Sequence, residues 1–462
     1  MKSTKLKFWL PYLLGILTSI CKATTNNQPH IIFILADDLG WDDVGFHGSK
    51  QIPTPNIDEM ANEGVILNNY YVSPMCTPTR ASIMSGKHPI HLGIQHFVIF
   101  AAQPYGLPLK EVTTAQYLKA LGYQTHAIGK WHLGYFSEEY TPLKRGFDSF
   151  FGFLGAKEDY WDHSSFEDYW GYDLRDNKRP IRRDGIYATD LFTQEAIKKI
   201  NAHDVSTPMF MYLAHQAAHS ANQKDPLQAP EHLIKKFSFI KDKRRQKYAA
   251  MVTSLDESVG AVKKALADKG MLHDSVIIFT TDNGGAPYGF NWRNFEAIRK
   301  GNFKLVVGMD DTYELGWHSR YPTSNPPPWE KNPTLPGAEI KCGQWTNGKG
   351  MCDSKDHKAC LFNLADDPCE YKDVSHLHPQ VVLELKERLN YYRSTALPVV
   401  YPMISPDADP DHFKGSEHSF WGPWKTLNDK SEYLASKNAC NQVQAKQVHL
   451  GLHPMTYSNR TL

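Results

Sequence analysis

The chain has 462 residues, with 51 Lys plus Arg against 50 Asp plus Glu, for a formal charge of +1. That length accommodates one large domain and a smaller one. The charge balance excludes any general attraction to nucleic acid or to an anionic membrane, so an anionic ligand must be caught by a local site.

The first 23 residues read as a signal peptide. Lys2, Lys5 and Lys7 form a basic start, Phe8 to Ile20 is mostly apolar, and Cys21-Lys22-Ala23 puts small residues where a signal peptidase cuts. The apolar run is too short for a membrane anchor, and no later segment is long and apolar enough to span a bilayer. The expectation is a secretory-pathway protein, lysosomal or secreted, with no stable membrane insertion.

Residues 24–295 alternate strand-like and helical patterns. Ile31 to Ala36 is continuously apolar, as in a strand covered on both faces, and ends in Asp37-Asp38. In Cys76-Thr77-Pro78-Thr79-Arg80-Ala81-Ser82 the proline fits the first turn of a helix that Arg80 to Ser85 continue. Cys76 then sits at a helix N-terminus, where backbone N–H groups favour an anion, and Arg80 adds a positive fork. Two plainer readings of Cys76 stay open, half of a disulfide or an inert buried thiol. Thr113 is placed to cap a helix carrying Ala115, Leu118 and Leu121. Gln124 to Ile128 reads as a strand running into Gly129-Lys130-Trp131-His132. Glu158 to Asp176, rich in Tyr, Trp and acidic residues, reads as a surface loop whose aromatics could stack on a sugar or aryl group.

Ile186 to Ile200 reads as a helix, and Met209 to Leu213 as a strand followed by His215 and His219. The basic run from Lys235 to Lys247 reads as a solvated helix face. Met251, Leu255, Val259 and Val262 recur at helical spacing, and Val276 to Phe279 reads as a further buried strand ending in Asp282-Asn283-Gly284-Gly285. This alternation predicts an α/β fold with a mainly parallel sheet, whose ligands bind at the carboxyl ends of the strands. Asp37, Asp38, Asp282 and Asn283 should meet there. They are hard oxygen ligands, suited to calcium or magnesium rather than zinc, and the nearby lysines and histidines suit an anion held against that cation.

From residue 296 the texture changes. Tyr321 to Gly337 is rich in Pro and Asn, and Val381 to Tyr392 reads as an amphipathic helix. Cys342, Cys352, Cys360, Cys369 and Cys440 are disulfide candidates of open connectivity; without Cys76, one of the five is left unpaired or pairs between chains. Residues 296–462 are expected to form a smaller α+β domain, and Asn459-Arg460-Thr461 is a glycosylation sequon.

The motif Cys76-Thr77-Pro78-Thr79-Arg80-Ala81 resembles the signature of the sulfatase family. Leu35 to Gly40, Gly129 to Gly134, Arg145 to Asp148 and Thr281 to Gly285 resemble further sulfatase blocks, in order, and Phe420-Trp421-Gly422-Pro423-Trp424 is similar to the arylsulfatase B group. The resemblance implies an alkaline-phosphatase-like α/β/α sandwich that hydrolyses sulfate esters of aryl groups or sugars, glycosaminoglycan sugars among them. It implies a formylglycine made from Cys76 by the formylglycine-generating enzyme. Asp37, Asp38, Asp282 and Asn283, with the modified Cys76, would bind a calcium ion. Arg80 would steady the formylglycine, Lys130 and His219 would hold the sulfate oxygens, and His132 would orient or deprotonate the nucleophile. His219 is preferred to His215 because Leu213-Ala214-x-Gln216-x-x-His219 matches the family spacing; His215 is the second choice.

The chain departs from the family after Gly285. The family's next block carries a further sulfate-binding lysine, whereas here Arg293 to Lys304 resembles a much later block. Lys300 and Lys304 belong to that later block and do not take the missing role. An internal segment is therefore absent, on the far edge of the main domain. Three functions compete: a calcium-dependent sulfatase, a related phosphohydrolase, and a catalytically impaired secreted protein that binds sulfated glycans. Cys76 with Arg80 and a single-metal ligand set oppose the second; the absent segment favours the third.

Overall fold

The computed structural model describes residues 28–285, 296–307, 338, 340, 359–412 and 419–431. The expected signal peptide, the proline-rich stretch before Gly337, the sequon and Cys342, Cys352 and Cys440 lie outside them.

In chain order the elements are β1 (His30–Ala36), α1 (Pro55–Glu63), α2 (Cys76–Ser85), α3 (Thr114–Ala120), β2 (Gln124–Lys130), β3 (Ser149–Phe153), β4 (Ser164–Phe166), β5 (Trp170–Tyr172), β6 (Arg175–Asp176) and β7 (Arg179–Pro180). There follow α4 (Ala188–Ala202), β8 (Met209–Ala214), α5 (Glu231–Lys236), α6 (Lys243–Asp268), β9 (Ser275–Thr281), β10 (Glu296–Lys300), β11 (Phe303–Val307), β12 (Ala359–Asn363) and α7 (Pro379–Thr395). The main sheet has the order β7-β6-β3-β2-β8-β1-β9. Its five strands β3, β2, β8, β1 and β9 are parallel, with β6 and β7 added antiparallel.

Two apolar layers cover this sheet, because successive side chains of a strand point to opposite faces. Ile32, Ile34 and Ala36 of β1 join α4 and α6 in one core, through Phe192, Ala196, Leu255 and Val259. Leu35 faces the other core, with Ala81 and Met84 of α2 and Ala115 of α3. Helix α3 starts where expected, on a reciprocal cap between Thr113 and Gln116. The basic run is the start of α6 and the helix before it, with ion pairs such as Lys236–Glu257 at 3.1 Å and Lys247–Asp225 at 2.7 Å.

Two expectations are corrected. Val276 to Phe279 is not a strand buried on both faces. Strand β9 is an edge strand, paired only with β1 among the described residues, and Val276 and Ile278 are 47% and 37% exposed. An apolar run cannot by itself tell an inner strand from an edge whose neighbour is absent. Glu158 to Asp176 is likewise more than a surface loop: Glu158, Tyr160, His163, Ser165 and Asp173 are buried. Its β4–β5 hairpin leaves Phe166 and Trp170 exposed.

Toward the C-terminus, β10, β11 and β12 form an antiparallel sheet against α7, with Leu305, Leu361, Leu385 and Leu389 as its small core. Cys360 and Cys369 are disulfide-bonded.

Candidate active site

The carboxyl ends of β1, β2, β8 and β9 lie side by side, so the residues that follow them meet. Asp37 leaves β1 fully buried. Its Oδ2 takes the Lys130 ammonium at 2.6 Å and lies 3.6 Å from the Arg80 guanidinium. Asp282, after β9, is equally buried and accepts from Arg80 Nε at 3.0 Å and from a terminal guanidinium nitrogen at 2.9 Å. Arg80 also donates to the Lys130 carbonyl at 3.3 Å. Two cations thus stitch two buried carboxylates, a pairing without which such charges are not tolerated in an interior.

The protonation states follow from that packing. Burial by itself would push the Asp37 carboxyl up, but Lys130, His219 and Arg80 outweigh it and hold it below its ordinary value. Asp282 is pushed up to about 6, by burial first and by the Asp37 charge second, against the pull of Arg80. Lys130 is held above its ordinary value because Asp37 outweighs the burial that would lower it.

Cys76 opens α2, as its sequence suggested, and is 7% exposed. Its Sγ lies 3.6 Å from Asp37 Oδ1. It is a free thiol, which excludes the disulfide reading. Burial and the surrounding Asp282, Asp37 and Asp38 charges drive its pKa well up, with Lys130 only partly opposing them. Side-chain ligand atoms of Asp37, Asp38, Cys76 and His219 all lie within 4.8 Å of one another.

His132 follows β2 in a left-handed backbone conformation, φ 55°, tied by its N–H to the Leu154 carbonyl. Its Nε2 is 3.1 Å from the Ile99 carbonyl, which can only accept, so Nε2 carries the hydrogen. Nδ1 is then an unprotonated lone pair, buried and without a hydrogen-bond partner among the described residues. Burial, with Lys130 and Arg80 adding to it, keeps the imidazole well below its ordinary pKa and therefore neutral.

The two histidines after β8 separate. His215 lies against the helical core, Nε2 3.0 Å from Ser258 Oγ on α6, and burial lowers its pKa to about 3. It is a neutral core residue, which removes the second choice. His219 reaches the site, its Nε2 3.7 Å from Asp38 Oδ2. The loop between them is locked to β1: Asp37 N–H donates to the Ala217 carbonyl at 3.0 Å and Ala218 N–H to the Asp37 carbonyl at 2.6 Å. The Tyr160 hydroxyl donates to the His219 carbonyl at 2.8 Å.

The last pair is Asp38 and Asn283. Asn283 Nδ2 donates to Asp38 Oδ1 at 2.6 Å and to the Gly284 carbonyl at 2.9 Å. Its Oδ1 is left buried with no partner among the described residues. A buried amide oxygen left open beside three carboxylates is an acceptor waiting for a cation, so the donor set fits a hard divalent ion.

A family model described as Sulfatase matches residues 29–323. The chain belongs to the sulfatase family. It is 33% identical to mouse arylsulfatase J over 88% of this sulfatase and 82% of that protein. Against mouse N-acetylgalactosamine-6-sulfatase the identity is 32%, over 64% of this sulfatase and 56% of the relative. The solved structure of a Pseudoalteromonas sulfatase superposes with a TM-score of 0.56 at 19% identity, over 86% of this chain and 96% of that one, which shows the shared fold. The alignment with arylsulfatase J is 501 positions long, more than the 462 residues of this chain, so within the aligned region the relative carries residues that this one lacks.

Three supporting side chains of this sulfatase escaped the sequence reading. The Thr77 hydroxyl accepts from Ile99 N–H at 3.1 Å and donates to the His132 carbonyl at 3.3 Å, joining α2 to the loop that carries His132. Gln216 exchanges two 2.7 Å hydrogen bonds with the backbone of Glu158. Tyr248 touches the Asp38 backbone from α6. Thr77 and Gln216 stand inside recognised blocks and were open to that question; nothing in the sequence marks Tyr248.

Proposed function

We propose that this sulfatase hydrolyses sulfate esters, of aryl groups or of sugars, through a formylglycine made from Cys76 and with calcium held by Asp37, Asp38, Asp282 and Asn283. The observation that carries the reading is the state of Cys76. A buried thiol among three carboxylates stays protonated and is a weak nucleophile. Thiolate attack on sulfur would in any case leave a thiosulfate dead end. The formylglycine, once formed, would supply a hydrated aldehyde: one hydroxyl would attack sulfur as the ester S–O bond breaks and the substrate's alcohol leaves with a proton, and loss of the second hydroxyl's proton would let sulfate be expelled as the aldehyde returns. The calcium ion, when bound, supplies Lewis-acid polarisation of the oxygens it touches.

The remaining work belongs to side chains already in place. The ammonium of Lys130 and the imidazole of His219 bind the sulfuryl oxygens and stabilise the charge that builds on them. His132 Nδ1 is the proton acceptor, its lone pair aimed by the Nε2–H bond to Ile99. Arg80 fixes Asp282 and, through the Lys130 carbonyl, the end of β2. Burial keeps bulk water from these groups and strengthens each charge interaction. The name N-acetylgalactosamine-6-sulfatase among the relatives supports sulfated sugars as one substrate class. The expected maturation route is the secretory pathway, where the formylglycine-generating enzyme acts, ending in the lysosome or outside the cell. No helix among the described residues is long and apolar enough to cross a membrane.

The deciding experiment is sulfate release from a small aryl sulfate by the secreted protein, co-expressed with the formylglycine-generating enzyme. Turnover is expected, and Cys76→Ala should lower it by about a thousand-fold or more. Folded protein with a confirmed aldehyde and no turnover would overturn the reading. That outcome would favour the second one, a sulfated-glycan binder without catalysis, whose motivating observation is that arylsulfatase J carries residues this chain lacks.

A further inference from the structure

The Asp38 corner of the site is held from outside by a chain of side chains with no assigned role. Asp38 adopts a left-handed backbone, φ 54°, a conformation that non-glycine residues keep only when their surroundings impose it. Its own side chain is turned toward Asn283 and His219, so its backbone must be fixed by other groups. Tyr248 of α6 does this. Its hydroxyl is within donor distance of both Asp43 Oδ2, at 2.8 Å, and the Asp38 carbonyl, at 3.1 Å, so its one proton is shared between them, and its oxygen accepts from the Gly40 N–H at 3.5 Å.

Asp43 is in turn fixed by Arg245, one turn earlier on the same helix face, through a 2.7 Å ion pair. Arg245 Nε also donates to Gln51 Oε1 at 2.6 Å, and its guanidinium lies 5.1 Å from the centre of the Tyr248 ring. Gly40 leaves room for this chain: a Cβ there would stand 2.4 Å from Asp43 Oδ2. The same Gly40 sits against Gly285, so the loops after β1 and β9 are packed backbone to backbone.

We propose that Tyr248, locked by Asp43 and Arg245, is the positioning residue for the Asp38 half of the calcium site. The inference rests on the metal reading above. Residues behind metal ligands set ligand orientation, and their loss commonly lowers metal affinity by about 10- to 100-fold. Tyr248 touches no reacting atom, so its loss acts through calcium occupancy.

The test is calcium binding to the full secreted chain after chelator treatment, followed by titration calorimetry. Tyr248→Phe keeps the ring and removes the hydroxyl; its calcium affinity should fall by about 10- to 100-fold. Aryl sulfatase turnover should fall with it at low calcium and recover at saturating calcium, which a purely structural defect would not do. Gly40→Ala, by pushing Asp43 aside, should move affinity in the same direction. Tyr123→Phe is the control, because that hydroxyl binds the Pro29 carbonyl at the opposite end of the sheet; its calcium affinity should match wild type. If Tyr248→Phe is not secreted, Arg245→Leu decides by the same measurement, with Arg245→Lys expected to restore part of the loss. Wild-type binding with equal affinity in Tyr248→Phe overturns the positioning role alone. A wild-type chain that binds no calcium overturns the metal reading and this inference together.

Discussion

On the inner side of the site Arg80, Lys130 and His132 are at most 2% exposed, and each is held by a neighbouring strand or helix end. On the outer side, no side chain of β9 is buried, and beyond the buried Asp282 the chain passes through half-buried Asn283 to exposed Gly285. The two sides face each other across the same few ångströms but differ in what enforces them. The inner residues are fixed by the sheet centre, where two apolar layers close over β1, β2 and β8. The outer residues depend on one strand pairing, β1 with β9, on the Arg80 clamp on Asp282 and on the loop contact between Gly40 and Gly285. The sequence resemblance puts the residues this chain lacks relative to its family after Gly285, on that outer side. In the function proposed above, anion binding and proton transfer rest on the robust half, and metal binding spans the join.

The strongest way to break the comparison is Lys130→Ala. It removes the proposed anion contact and leaves buried Asp37 with Arg80 and His219 as its remaining basic neighbours. Turnover should fall by about 10²- to 10³-fold, the scale of a lost oxyanion donor. Stability should fall by about 3–5 kcal/mol, as for breaking one partner of a buried ion pair. Denaturant melts beside the aryl sulfate assay read both. A loss of turnover with unchanged stability would show that the inner half is less tightly coupled than its geometry states.

A smaller effect separates the halves by pH. Asp173, behind β3, accepts from Leu154 and Gly155 N–H at 3.1 and 2.7 Å, and burial pushes its pKa up to about 7 against the pull of Arg175. Between the ordinary 3.8 and about 7 the folded state holds this proton and the unfolded state does not. Stability from this group is thus complete below about pH 4, declines as pH rises toward 7, and is flat above. Asp173→Asn should abolish the decline, and its stability relative to wild type should grow across that window by at most about 4 kcal/mol. His215, held down to about 3, and His126, held down to about 4, give the opposite slope. Both chains carry them, so they cancel in the difference. Urea unfolding of the two chains at pH 4, 5.5 and 7.5 measures it; parallel curves would show that Asp173 is ionised throughout.

Much of the inner half was legible. Apolar runs ending in Asp37-Asp38 and in Lys130-Trp131-His132 announce parallel strands with chemistry at their carboxyl ends, and Pro78 announces a helix beginning at Cys76. The choice of His219 over His215 came from family spacing, and the structure gives its physical reason: the side chain after Ala214 alternates back into the helical core. Residues whose role is to hold others were hidden. Tyr248 and Asp43 meet across 205 positions, and no periodicity in either segment records that contact. The status of β9 was hidden for a different reason. Val276 to Phe279 has the composition of an inner strand, and only the absence of a second neighbour among the described residues makes it an edge.

That absence supports the gentlest prediction. Strand β9 reads Ser-Val-Ile-Ile-Phe-Thr-Thr, with no charge and no proline, and such edges lack the usual guards against pairing with another chain. Ile278, 37% exposed, points to the face opposite Ile277 and Phe279, which pack on the helical core. The wild-type chain is expected to self-associate as its concentration rises, and Ile278→Lys should shift sedimentation toward the monomer. Because the side chain is already partly in water, the folding stability of the variant should stay within about 0.5 kcal/mol of wild type. If wild type sediments as a monomer at all concentrations, the outer edge is guarded after all and the contrast between the two halves narrows. If Ile278→Lys unfolds the chain, β9 is as deeply part of the core as the strands beside it, and calcium binding should then prove as resistant to edge mutations as Lys130 and His132 are.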